Sequence, residues 1–166
     1  MVELVNRLFL TIIFPFMTVP ILRLLRVSVG ANCRIYTPLI FQNSGFSKLT
    51  VGDNCHIGRG VLLDLSDRIS IGNNVTISMN VTLITHLDVG DSPLKRHGFP
   101  AKTGQIVIED GVYIGAGATI LHGVKIEKNT LVAAGALVNR DISPNCVVAG
   151  IPAKTIRTIG EPVNHQ

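Results

Sequence analysis

The sequence predicts an all-β solenoid, a coil of very short strands wound around a thin apolar interior. Three observations predict it. Branched aliphatic residues recur at every sixth position: Val51, Ile57 and Leu63, then Ile71, Ile77 and Leu83, then Ile108, Ile114, Ile120, Ile126, Val132 and Val138. A period of six matches neither an amphipathic helix nor a simple alternating strand; it matches stacked units of one short strand plus one corner. The corners are legible too, in units such as Ile71-Gly-Asn-Asn-Val75-Thr76 and Ile114-Gly-Ala-Gly-Ala118-Thr119, where Gly or Asn tolerates the positive φ of a tight bend. Finally, 46% of the residues are hydrophobic, yet there is no Trp and aromatics make up only 5%. Val, Ile, Leu and Ala fill a narrow prism; broad rings do not. Three units close one triangular turn, with parallel neighbours stacked ~4.8 Å apart.

The elements follow in order along 166 residues, a one-domain length. Residues 1–28 form an apolar N-terminal segment, with Leu8 to Leu22 flanked by Arg7, Arg23 and Arg26 and interrupted by Pro15 and Pro20. The run is shorter than the ~20 residues of a spanning helix and lacks the basic start and cleavage site of a signal peptide. Two readings stand: a helical cap on the end of the coil, or a segment lying in a membrane interface. Residues 29–150 form the β-helix, in which 64–70 add a small corner insertion. A loop over 87–105 protrudes, polar, with Lys95, Arg96, His97 and Lys102. Loops of this length in a compact fold are usually functional or disordered, and this one departs beside a histidine. Residues 151–166 form a C-terminal segment, expected to be helical.

The net charge of +4 suits a polyanionic small molecule or an acidic surface, and the lack of a basic run interleaved with aromatics speaks against nucleic acid. Cys33, Cys55 and Cys146 are odd in number and far apart; Cys33 and Cys55 occupy small-residue slots of the repeat, which fits buried thiols. A reducing, cytoplasmic compartment follows, with the N-terminus available for peripheral contact at the inner membrane face.

The repeat resembles that of the left-handed β-helix acyltransferases, the hexapeptide-repeat family. Residues 71–159 are most similar to its xenobiotic and sugar O-acetyltransferase branch, which includes maltose and galactoside acetyltransferases. The matching blocks are Ile71-Gly-Asn-Asn-Val75, Leu83-Ile-Thr-His86, Ile106 to Ile120, Ala133 to Asp141, and the closing Val148-Ala-Gly-Ile-Pro-Ala-Lys-Thr-Ile-Arg157. The resemblance implies left-handed coiling, acetyl-CoA as co-substrate without a metal, and a homotrimer with active sites between subunits.

Acyl transfer to a hydroxyl needs a base for the alcohol proton and donors for the developing oxyanion. Histidine suits the first role. His86 lies where a turn ends and the long loop leaves; the residues alone fit a base or a corner that caps the loop, and the resemblance selects the base. His97 lies in the loop, His56 in an outward slot and His165 in a polar tail. Leu121-His122-Gly123 is similar to part of the zinc site of γ-class carbonic anhydrases, but Gly117 stands where that site requires a second histidine. By the same resemblance, Ala116 and Ala134 present backbone amides to pantetheine, and Asn139, Arg140, Lys154 and Arg157 lie near the adenine and 3′-phosphate. Arg59, Asp64 and Asn80 are candidates for the acceptor pocket. The expected activity is CoA-dependent O-acetylation of a sugar-type acceptor, free, nucleotide-linked or lipid-linked, in polysaccharide biosynthesis. A carbonic-anhydrase-like metal lyase and a non-catalytic scaffold are the alternatives.

Overall fold

The computed structural model describes residues 15–160. Residues 1–14, with the start of the apolar run, and 161–166, with His165, lie outside the described residues.

After helix α1 (Pro15–Leu24) the chain enters a parallel β-solenoid of about six turns. The first turn is β1 (Ser28–Val29), β2 (Arg34–Ile35) and β3 (Ile40–Gln42); the second is β4 (Leu49–Val51), β5 (His56–Ile57) and β6 (Leu62–Asp64). The third is β7 (Ile69–Ile71), β8 (Thr76–Ile77) and β9 (Thr82–Leu83). The excursion between third and fourth turns holds β10 (His86–Leu87) and β11 (Lys102–Thr103), paired antiparallel at its base, and a 3-10 helix over Pro93–His97. Coiling resumes with β12 (Ile106–Ile108), β13 (Tyr113–Ile114) and β14 (Thr119–Ile120), then β15 (Lys125–Ile126), β16 (Leu131–Val132) and β17 (Leu137–Val138). Ile142, β18 (Cys146–Ala149) and β19 (Lys154–Thr158) close the stack.

The strands stack into three sheets. The first contains β1, β4, β7, β12 and β15; the second β2, β5, β8, β13, β16, β18 and β19; the third β3, β6, β9, β14 and β17. The repeat aliphatics form registered inward columns, such as Ile35, Ile57, Ile77, Ile114, Val132 and Val148 in the second sheet, none more than 1% exposed. The residue four places later closes each corner: Val61, Val75, Val81, Val112, Ala118 and Ala136 are all buried. At the edge between the first and second sheets, Asn32, Asn54, Asn74, Asn129 and Asn145 all have positive φ. There the side chains also bond turn to turn, Asn32 Nδ2 donating to Asn54 Oδ1 at 3.2 Å and Asn129 Nδ2 to Asn145 Oδ1 at 3.1 Å. Asparagine therefore answers two needs at once, the left-handed bend and a polar stack.

Both ends of the coil are covered. Helix α1 buries Thr18 and Leu22, one turn apart on one face, and the Arg23 guanidinium donates to the carbonyls of Val29 and Gly30 at 2.9 and 2.8 Å. The described part of the N-terminal segment thus packs on the first turn of the coil. Among the described residues no helix is long and apolar enough to cross a membrane. The C-terminal segment corrects the expectation of a helix: Lys154–Thr158 is a strand, antiparallel to β18. The last edge of the second sheet otherwise offers unpaired backbone groups, and folding the chain back along it satisfies them.

Replacing Ile114 by alanine removes most of a fully buried side chain between Ile77 and Val132. The expected loss is about 3 kcal/mol, read as a lower urea midpoint. Met79→Ala, at an exposed corner, is expected to change stability by less than about 0.5 kcal/mol.

Candidate functional site

The break in the six-residue rhythm after Leu83 builds the site. β6 pairs with β9 through Leu62–Thr82 and Leu63–Leu83, so the chain beyond Leu83 passes beside Asp64 as it leaves the third sheet. Thr85 and His86 close over the carboxylate, and the pairing of His86 with Thr103 holds the base of the loop there. Asp64 is 0% exposed.

A carboxylate so buried survives only with its oxygens satisfied. Oδ2 accepts from the Thr85 N–H at 2.8 Å and from His86 Nδ1 at 2.5 Å, while Oδ1 accepts from the Ser66 N–H at 3.1 Å, the Ser66 hydroxyl at 2.7 Å and the Asn43 amide at 3.2 Å. The Thr85 hydroxyl is also engaged, donating to the Asp64 carbonyl at 2.7 Å and accepting from the Asp67 N–H at 2.9 Å. Burial acts to raise the Asp64 carboxyl, but the hydrogen bonds from His86, Ser66 and Thr85 outweigh it and hold the carboxyl well below the usual carboxylate range. Asp64 is therefore an anion at neutral pH.

An ionised carboxylate only accepts hydrogen bonds, which assigns the His86 proton to Nδ1 and the lone pair to Nε2. The ring is 28% exposed, and among the described residues no hydrogen bond engages Nε2. Chemically this is an oriented, partly exposed imidazole whose free lone pair is on Nε2.

Asp64, a candidate for the acceptor pocket, is fully covered, so it does not face an acceptor directly and reaches the outside only through its partners His86, Ser66 and Asn43. The remaining candidates fall on other edges. Arg59, Asn80, Ala116 and Ala134 line the edge between the second and third sheets in successive turns, tied by Asn80 N–H to the Arg59 carbonyl at 2.8 Å and Gly135 N–H to the Ala116 carbonyl at 2.9 Å. Asn80 is an exposed corner residue with positive φ, stacked against Gly60. Ala116 and Ala134 keep their own N–H groups free of any acceptor among the described residues. A side chain at Gly115 would strike the Ala134 backbone, so around Ala116 and Ala134 this edge carries little besides main chain. That composition fits an extended amide-bearing arm such as pantetheine.

Lys154 continues the same edge. Residues three apart on a regular strand face opposite ways, but the register shift in β19 pairs Lys154 with Ala149 and Arg157 with Val147, and both partners are outward residues of β18. The bulge puts the two cations on one face. Asn139 and Arg140 sit elsewhere, after β17 on the edge that carries His86. Two concavities, one lined by Ser70, Gly72, Glu109 and Lys128 and the other by Asn32, Cys33, Arg34 and His56, lie away from the imidazole. His122 is half-buried, and no cluster of three or more His, Cys, Asp or Glu among the described residues could hold a metal ion.

Sequence reasoning missed the network behind His86: Asp64 as the partner of the ring, and Ser66, Thr85 and Asn43 as partners of Asp64. The signal was the corner insertion at 64–70. It falls one turn below the loop, so its polar residues lie against the place where the loop departs.

Comparison with known proteins adds to this picture. The model for bacterial transferase hexapeptide (six repeats) matches residues 105–140, and that for the hexapeptide repeat of succinyl-transferase matches 48–84. The chain is 35% identical over 140 residues to the galactoside O-acetyltransferase of Lactococcus lactis, an alignment covering 80% of this chain but 63% of the relative. It therefore spans just under two thirds of that enzyme's length. It is 32% identical over 149 residues to the Bacillus subtilis protein YvoF, provisionally named an acetyltransferase, with 86% of this chain and 82% of the relative covered. The solved hexapeptide-repeat acetyltransferase VCA0836 of Vibrio cholerae, in complex with acetyl coenzyme A, superposes with a TM-score of 0.82 at 25% identity, covering 95% of this chain and 84% of that one.

Proposed function

The chain belongs to the hexapeptide-repeat acetyltransferases, with their left-handed β-helix, and from that premise we propose that it moves an acetyl group from acetyl-CoA to a hydroxyl of a sugar-type acceptor. The observation that carries the reading is the buried Asp64 carboxylate holding His86 Nδ1–H, which leaves Nε2 to take a proton. His86 is the general base. Nε2 removes the hydroxyl proton as the oxygen attacks the thioester carbonyl, and the carbon–sulfur bond then breaks. The imidazolium returns its proton to the departing thiolate, so the enzyme ends as it began.

Half of this machinery lies on a different edge from His86. Ala116, Ala134 and Lys154 supply amides and charge for CoA, and the whole width of the third sheet separates them from the imidazole. The outward face of that sheet carries Ile40, Leu62, Thr82, Thr119 and Leu137 in register, with Ile84 and Leu121 beside them, so aliphatic side chains and threonine methyls lie between the two edges. Burying this face around a threefold axis brings the His86 edge of one chain to the Ala116 edge of its partner. The assembly in this reading is a homotrimer, and light scattering of the purified protein tests it; a monomer that turns over would end it.

The acceptor is a sugar of polysaccharide biosynthesis, nucleotide-linked or lipid-linked. Supporting this, Leu24 and Met17 of α1 are exposed beside the apolar N-terminal sequence, which suits an enzyme working against a membrane surface. Full-length protein that fails to float with anionic vesicles would remove the lipid-linked branch. The activity itself is tested by thiol release from acetyl-CoA against a panel of sugars, nucleotide sugars and glycolipids.

Substituting Arg140 and Lys154 together by alanine tests the CoA assignment. Two charge-assisted contacts are worth about 3 kcal/mol together, so the Kd for CoA by calorimetry rises on the order of a hundredfold. An unchanged Kd would place the phosphates elsewhere.

A further inference from the structure

On the edge that carries His86, Asn43 from the first turn reaches the Asp64 carboxylate. Asn43 follows β3 with φ +69, a left-handed conformation that asparagine accepts more readily than most residues. Its amide nitrogen donates to Ser66 Oγ at 2.7 Å and to Asp64 Oδ1 at 3.2 Å. The Ser66 hydroxyl passes its own proton on to Oδ1 at 2.7 Å. A reversed amide would turn its carbonyl toward two oxygens, so the donor orientation is the one the chemistry allows.

The two carboxylate oxygens are therefore held from opposite sides. Oδ1 is anchored by the first two turns, through Asn43 and Ser66; Oδ2 is offered to the third, to Thr85 and His86. Because a carboxylate is planar, whatever fixes Oδ1 also aims the lone pairs of Oδ2. Asn43 itself is exposed and makes no hydrogen bond to the imidazole. An exposed corner residue with no such task is ordinarily exchangeable at little cost.

We propose that Asn43 is a positioning residue for the reaction: by clamping Asp64 through Ser66 it keeps the His86 ring in one orientation and in its Nδ1–H form. The proposal rests on His86 being the base. It assigns a role to a residue two turns from the imidazole, which acts only through others.

Two substitutions separate this role from a structural one. Glycine accepts φ +69 freely, so Asn43→Gly deletes the amide and leaves the corner. Asn43→Asp keeps the side-chain shape and sets a second carboxylate against Oδ1. The nitrogen NMR signals of His86 in the full chain, labelled at histidine, read the tautomer without turnover. The wild type is expected to show a single Nδ1-protonated ring. Asn43→Gly is expected to show both tautomers, with kcat lower by about tenfold, KM for acetyl-CoA within twofold and thermal midpoint nearly unchanged; small misplacements of a catalytic group cost this much or more. Asn43→Asp is expected to lose more than Asn43→Gly. A wild-type ring signal in Asn43→Gly overturns the positioning role alone. A changed ring signal with unchanged turnover overturns His86 as the base, and the positioning role with it.

Discussion

Replacing His86 with alanine lowers kcat by about a thousandfold and leaves the affinity for acetyl-CoA within about twofold. The loss is that of a positioned general base, worth about 10²–10⁴ in rate. The unchanged affinity follows from the fold, because Ala116, Ala134 and Lys154 stand on a different edge of the coil from the imidazole, and Arg140, on the same edge, follows β17 two turns further along. Asp64 stays folded in this variant through Ser66, Thr85 and Asn43, so the lost rate does not reflect collapse of the corner. Steady-state thiol release with calorimetry on the same preparation measures both quantities. A variant that binds acetyl-CoA and retains full turnover removes His86 from the chemistry.

Asp64→Asn is expected to be nearly as damaging to rate and worse for stability. Every donor now aimed at the carboxylate meets an amide that carries hydrogens on one side. With its NH₂ toward His86, the new residue forces the ring proton onto Nε2 and abolishes the lone pair that accepts the substrate proton. The tautomer error of this kind in a Ser-His-Asp enzyme costs about 10⁴ in kcat. Turned the other way, the NH₂ opposes the Ser66 N–H. Leaving donors unpaired around a buried group costs about 3 kcal/mol, measured as a lower denaturation midpoint.

The pH dependence follows from the direction of the Asp64 shift. Its carboxyl is held below the usual range in the folded protein, so the stability it contributes is complete above the unfolded value of about 3.9. That contribution drains away as the pH falls through the lower folded value. The stability gap between wild type and Asp64→Asn therefore narrows in acid below about pH 4. A gap that widened in acid would contradict an ionised Asp64.

Much of the fold was legible along the chain, for a physical reason. In a coil with a three-residue-wide interior, each inward position has one neighbour above and one below, so the core requirement repeats unchanged every six residues. Ile57, Ile77, Ile114 and Val132 announce their column without any knowledge of distant contacts. The asparagine corners were legible likewise. The C-terminal segment was not, because nothing local in Lys154 to Thr158 says that a sheet edge awaits it; its strand exists by pairing with β18.

The site divides along the same line. His86 could be picked out because it stands where the rhythm fails, and loops are where chemistry is placed. Asp64 was noticed as a candidate for the acceptor pocket, not as the partner of His86. Position in the repeat marks it as the outward end of a strand, and only the path of residues 84–86 across it turns an exposed corner into a buried anion. Asn43 carried no signal of its own.

Residue order alone, then, determined the coil, its triangular section, the place where the loop leaves and the histidine beside it, since each depends on a local repeat or on its interruption. The folded molecule alone decided that Asp64 is buried, that Ser66, Thr85 and Asn43 saturate it, that the His86 proton sits on Nδ1, and that the bulge in β19 brings Lys154 and Arg157 to one face. The bonds of Asp64 to Asn43, Thr85 and His86 depend on which turn lies over which, at distances of a few ångströms between residues about twenty apart in the chain, and the bulge depends on the chain folding back along β18; pairing register rather than sequence spacing sets them.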